Sequence, residues 1–111
     1  MIIEAYINKQ EENLFYNWLS QREKKDQLRI LKRIEKIQEG HLGDFKNLKQ
    51  NLYELRFHFN SGFRVYFTMK NNKIVILLCA GNKKTQSKNI QQAREYIKDL
   101  QQEKTKQIRI Y

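Results

Sequence analysis

Residues 52–86 read LYELRFHFNSGFRVYFTMKNNKIVILLCAGNKKTQ, and this stretch decides the fold. Alternation over its first eight residues puts Tyr53, Leu55, Phe57 and Phe59 on one face of a strand, with Glu54, Arg56 and His58 on the other. Asn60, Ser61 and Gly62 are turn formers. Beyond them Phe63, Val65, Phe67 and Met69 alternate with Arg64, Tyr66, Thr68 and Lys70, which predicts a hairpin. Asn71 and Asn72 tolerate positive φ and supply a second tight turn. The unbroken apolar run Ile74 to Cys79 is what a central strand covered on both faces requires. Three consecutive strands follow from these patterns, with cations on one face.

The positive charge belongs to this segment. From Lys46 to Lys88 there are nine Lys or Arg and one acid, Glu54, whereas Met1 to Phe45 holds eight of each sign. Over the whole chain 22 basic residues face 12 acidic ones, a formal charge of +10. That balance makes polyanions, and nucleic acid first among them, the partners to consider.

A length of 111 residues suits one domain, spanning 1–111, with one modest core. Ile2 to Ile7 predicts a first strand. Leu14, Phe15, Trp18 and Leu19 predict a helix from about Lys9 to Ser20, with Trp18 in the core. Leu28, Leu31, Ile34 and Ile37 predict a second from about Lys24 to Glu39. Gly40 stands where a left-handed residue ends a helix, and His41 reads as a surface histidine. After the third sheet strand, Ser87 is a plausible N-cap for a closing helix whose apolar stripe is Ile90, Ala93, Ile97 and Leu100. Past Leu100 the tail, 102–111, leaves fraying, extension of the helix and a short strand open. The fold class expected is α+β.

Composition also excludes chemistries. The lone cysteine, Cys79, lies in the apolar run and reads as a buried small hydrophobe, consistent with a reducing cytoplasm. The two histidines are seventeen positions apart and no second cysteine exists, so no familiar metal spacing appears and no metal is expected. The four glycines lie at turns without the neighbours of a P-loop, a dinucleotide fingerprint or a nucleophile elbow, and no cofactor is expected. No apolar run is long enough for a membrane span.

What remains is spatial. Arg56, His58, Arg64 and Tyr66 project from the same face of adjacent strands and are expected to converge, with Lys83 and Lys84 following on a polar loop. Guanidinium groups grip phosphate oxygens in a fork, lysines add diffuse attraction, and histidine moves protons near neutrality. Cleavage of RNA by its own 2′-hydroxyl needs no more than a base, an acid and cations for the developing charge. The alternative is a solvated sheet face on which His58 pairs with Glu54 or a cross-strand neighbour. Tyr66, on the polar face, is the better placed of the tyrosines to stack a base.

The sequence resembles the RelE/ParE toxin superfamily, in its HigB-like addiction module killer branch. The likeness rests on Gly43 and Asp44 with Lys46, Glu54-Leu55-Arg56, the GFRVYF of 62–67 and the GNKKTQ of 81–86, all in the order that branch shows. It implies a RelE-like fold: one N-terminal strand, a two-helix hairpin, a twisted antiparallel sheet of three further strands and a C-terminal helix. It also implies a type II toxin that cuts messenger RNA on the ribosome without a metal. Arg56, His58, Arg64 and Lys83 would then be catalytic, and Lys46, Lys49, Tyr66 and Lys84 would contact RNA. A cognate antitoxin, commonly a small helix-turn-helix protein, would mask the basic face. The chain departs from RelE near the start of the last helix, where Asn89 and Ile90 stand in place of a tyrosine. ParE-type relatives bind DNA gyrase and have no nuclease site, so a binding module is the competing reading, and a relative that binds RNA without cutting it is a third.

Overall fold

The computed structural model describes residues 1–102 and 107–109. The chain forms β1 (Ile2–Tyr6), α1 (Leu14–Ser20), α2 (Lys24–Gln38), β2 (Phe45–Asn47), β3 (Tyr53–Arg56), β4 (Arg64–Lys70) and β5 (Ile74–Gly81). A 3-10 turn (Lys83–Thr85), α3 (Gln86–Gln101) and β6 (Gln107–Arg109) complete it. The class is α+β. Five strands lie between residues 2 and 81, and β6 adds a short sixth, in the order β2-β3-β4-β5-β1-β6. The remaining tail, 103–106 and 110–111, lies outside the described residues.

Two strands escape the hydrophobic pattern. β2 is FKN, exposed at all three positions, so its pairing with β3 has no apolar signature. β6 pairs antiparallel with β1 through three residues. The sheet is also mixed: β1 runs parallel to β5, with Ile3 opposite Val75 and Ala5 opposite Leu77. A parallel pair needs a long crossover, and here α1, α2 and the β2–β4 strands supply it.

Helix ends follow local chemistry. The first helix begins at Leu14 and not near Lys9, because the Asn8 carboxamide oxygen accepts the N–H groups of Gln10 and Glu12 at 3.0 and 2.8 Å. Glu11 between them takes a φ of 60°, and Asn13 then caps the helix by accepting from Tyr16 N–H. At the end of α2, Gly40 takes a φ of 95° while His41 N–H reaches Lys36 O at 2.8 Å and Gly40 N–H reaches Ile37 O. This double bond pattern is the Schellman stop that the glycine predicts.

The sheet separates two cores. Ile30, Ile34 and Ile37 of α2 and Phe15 and Leu19 of α1 pack on Leu55, Phe57, Val65, Phe67, Val75 and Leu77, with Trp18 partly buried against them. On the opposite face Ala93 and Ile97 of α3 pack on Tyr66, Ile76, Leu78 and Cys79. A β-bulge sets this distribution. Tyr66 is opposite Cys79 but Phe67 is opposite Leu77, so Leu78 is the extra residue and both Leu78 and Cys79 face α3. Alternation is thereby reset: Ala80 turns to the α1–α2 core, and Gly81 becomes the direct partner of Arg64.

Candidate functional site

Arg56 and Arg64 are register partners across β3 and β4, and like charges directly opposite repel. Glu54 offsets the repulsion. Its fully buried carboxylate takes Arg56 Nε at 3.0 Å and lies 3.7 Å from Arg64 Nε, while the Tyr66 hydroxyl and Gln86 Nε2 donate to it at 2.9 and 2.8 Å. Burial works against this charge, but the hydrogen bonds from Gln86, Arg56 and Tyr66 and the Arg56 charge outweigh it and hold the carboxyl below the usual glutamate range. The side chains of Arg56 and Arg64 are 33% and 15% exposed, so both arginines still reach solvent.

The far end of Arg64 is shaped by two glycines. Gly62 takes a φ of 71°, and its carbonyl accepts from Arg64 Nη1 at 2.7 Å. A Cβ on Gly62 would press on that same guanidinium nitrogen. Gly81 is the register partner of Arg64 on β5, and its missing side chain makes room for α3: a Cβ there would strike Asn89 Oδ1 and Thr85 Oγ1. Arg64 Nε is buried without a hydrogen-bond partner among the described residues.

The GNKKTQ stretch now has a local account. Asn82 and Thr85 form a reciprocal capping box: Asn82 Oδ1 accepts from Lys84 and Thr85 N–H, and Thr85 Oγ1 accepts from Asn82 N–H at 3.1 Å. The box displays Lys83 and Lys84 on an exposed turn and delivers Gln86 to Glu54. Helix α3 therefore grows out of the Asn82 turn rather than from a Ser87 cap. Lys83 is tied to the hairpin, its N–H reaching Ser61 O at 3.4 Å and its Cβ lying near the place of a Gly62 Cβ.

His58 does not join the Glu54 cluster. β3 ends at Arg56, and the exposed His58 ring pairs through Nε2 with Asp44 Oδ2 in the segment leading into β2. The His58 hydrogen bond, opposed by some desolvation and aided by the Arg56 and Arg33 charges, holds the Asp44 carboxyl below its usual range. Arg33 of α2 organises this corner, donating to the carbonyls of Arg56, Asp44 (2.5 Å) and Leu42 (3.4 Å).

Tyr66 is where the expectation of an RNA contact fails. α3 covers its half of the face, the ring is fully buried, and burial and the Glu54 charge push its hydroxyl well above the usual phenol range. It offers no face to a base and instead anchors Glu54. Lys46 stands opposite Glu54 in the β2–β3 register, close to Arg56 in the ladder. Lys49 lies beyond the Tyr53 end, in a loop where Lys49, Gln50 and Asn51 all have positive φ. Arg94 holds that loop from α3 by donating to Leu48 O at 2.9 Å and to Lys49 O at 3.4 Å. Neither Arg94 nor Arg33 carried a sequence signal, since each is a helix cation whose partners are carbonyls distant in the chain. Cys79 is buried, with its thiol pushed up to about 12 by burial, which removes it as a nucleophile. Among the described residues no helix is long and apolar enough to cross a membrane.

Comparison with known proteins adds two findings. The family described as Phage derived protein Gp49-like (DUF891) matches residues 17–102, which include every element from α2 to α3. An uncharacterized protein of Haemophilus influenzae is 39% identical over 87 residues, covering 78% of this chain and 88% of the relative. No solved structure matches the chain at a significant level.

Proposed function

Starting from the premise that the chain belongs to the Gp49-like family, a toxin-like, phage-derived family related to addiction modules, we propose that it is the toxin of a type II toxin–antitoxin system and cuts messenger RNA. The observation that carries this reading is the Arg56–Arg64 pair, held side by side on adjacent strands by a buried carboxylate and still reaching solvent. Glu54 engages Arg56 through Nε, which leaves that guanidinium's terminal nitrogens for phosphate oxygens. Two guanidinium groups on neighbouring strands suit the oxygens of a phosphodiester.

In this reading the 2′-hydroxyl of the substrate attacks the adjacent phosphorus. The new 2′-O–P bond forms as the P–5′-O bond breaks, one proton leaves the 2′-hydroxyl and one reaches the departing 5′-oxygen, giving a cyclic phosphate and a 5′-hydroxyl. Arg56 and Arg64 stabilise the charge that develops on the phosphate oxygens, and Lys83 adds to it from the Arg64 end. His58, paired with Asp44, is the group suited to moving a proton. The whole of 1–111 forms one such toxin domain in the cytoplasm, active on the translating ribosome. A cognate antitoxin of the helix-turn-helix kind covers the basic face.

The test is expression without a partner, followed by primer extension on cellular transcripts. Transcript cuts that need translating ribosomes, lost in a folded Arg64→Ala variant, are expected. Intact transcripts together with trapped gyrase–DNA complexes would transfer the protein to the gyrase-binding class.

A further inference from the structure

Eight cations and eight acids make residues 1–45 neutral by count, but four of the cations gather on one face of α2. On α2, Lys25, Arg29, Lys32 and Lys36 recur at i, i+4, i+7 and i+11, one face of a helix, and all four are exposed. Glu35 and Glu39 border this stripe beside the exposed Leu28, on the side away from Arg33, Lys25 lies 3.9 Å from Glu23, and Asp26 is buried with Asn60 Nδ2 donating to it. On the flank toward the β3–β4 turn the arginines lie over rings. Arg29 is 4.7 Å from the centroid of Phe59, Arg33 is 5.0 Å from that of Phe57, and Arg22 is 5.0 Å from Trp18.

A shallow groove of about 320 Å³ separates this stripe from the chain leaving β3. One wall is Arg29, Lys32, Arg33 and Lys36; the other is residues 57–59, with His58 between two phenylalanines. The lining holds four cations and no acid. The Asp44 carboxylate, at the edge of this corner, is paired with His58. The rings of Phe57 and Phe59 hold Arg33 and Arg29 in place, and the four cations together provide the charge that the phosphates of a single strand need.

We propose that this groove binds the phosphate backbone of single-stranded RNA running on past His58 from the Arg56–Arg64 site. The inference rests on the reading of the protein as an RNA-cutting toxin and extends it, making α2 a second contact that fixes the strand beside the reacting phosphate. Arg33 joins the two places, since the same guanidinium that lines the groove also donates to Arg56 O.

The test is salt-dependent binding of a fluorescent, mixed-sequence 24-nucleotide RNA to the full chain. Lys32 and Lys36 are exposed helix positions, so Lys32→Gln/Lys36→Gln leaves the fold intact. Lys70→Gln/Lys73→Gln, at the β4–β5 turn, is the matched charge control. Each lost phosphate contact lowers the slope of log affinity against log salt by about 0.7, so the groove variant is expected to lose about 1.4 and the control nothing. Between 50 and 200 mM salt, wild-type affinity then falls about sevenfold more than that of the groove variant. Equal slopes in all three proteins, or equal losses in both variants, overturn the proposal, as does a groove variant that keeps the wild-type RNA slope while losing an acidic antitoxin. A protein that cuts no transcript yet shows the groove-specific change sinks the nuclease reading alone. A transcript-cutting protein with equal slopes sinks the groove alone.

Discussion

Arg56 stands directly across the β3–β4 ladder from Arg64, and each guanidinium has its Nε turned to a different oxygen of the buried Glu54 carboxylate. Two cations on adjacent strands would spread apart without that anion, so the carboxylate is what sets their spacing. It leaves the group with a net positive charge, which Lys83 and Lys46 increase from either side.

Glu54→Gln tests this arrangement. The amide keeps the volume and one acceptor oxygen but leaves Arg56 and Arg64 opposed with no anion between them. Breaking a buried ion pair by neutralising one partner costs about 3 kcal/mol, and the loss should appear as a lower urea midpoint with an unchanged m-value. RNA cleavage should fall with it even at temperatures where the variant is folded. A folded Glu54→Gln protein with wild-type cleavage would show that the arginines need no internal counter-ion.

Acid should loosen the same cluster. Both Glu54 and Asp44 have folded-state carboxyl pKa values below their usual ones. Each therefore adds stability that is complete above the unfolded-state value and is lost as pH falls through the depressed folded-state value. Urea midpoints are expected to hold constant from neutrality down to the ordinary carboxylate range and to drop below it. In Glu54→Gln the drop should be shallower, because one of the two protonations has been removed. Parallel pH curves for the two proteins would mean that folding does not shift the Glu54 pKa.

Much of this arrangement is legible in the sequence. Tyr53, Leu55, Phe57, Val65 and Phe67 declared the core face by strict alternation, and Gly40 declared the end of α2. The site was half legible. Alternation placed Arg56 and Arg64 together, but it assigned Tyr66 to an open face because nothing in a strand's own pattern shows that a later helix will cover half of it. Ala93 and Ile97, one stripe of α3, do that covering. His58 went astray for a related reason: the strand ends two residues before it, and its partner, Asp44, precedes a strand with no apolar residue buried. The bulge at Leu78 was hidden as well, since an unbroken apolar run reads the same with or without an extra residue.

That bulge gives Gly81 its importance. Gly81→Ala should cost about 2 kcal/mol, because Thr85 and Asn89 must move away from the new methyl group. The capping box and Gln86 would move with Thr85, so cleavage is expected to drop about 100-fold through misplacement of Lys83 and Arg64. Gly40→Ala is the contrast. With a φ of 95° and nothing within 4 Å of a new Cβ, it should cost about 1 kcal/mol of stability and leave cleavage unchanged. Equal activity losses in both variants would indicate a general loss of folding rather than a local effect at Gly81.

The proton-transfer role proposed for His58 is separable from its place in the proposed groove. His58→Gln keeps a polar side chain of similar reach beside Asp44 but cannot shuttle a proton, so single-turnover cleavage should slow by about 100-fold while RNA affinity stays within about twofold. Asp44→Asn should have a smaller effect in the same direction, because it leaves the imidazole present but removes the carboxylate that orients it. The double variant should then be no slower than His58→Gln alone, since the carboxylate acts only through the ring. Additive losses would give Asp44 a part of its own, and wild-type single-turnover rates in His58→Gln would leave the histidine only as a wall of the RNA groove.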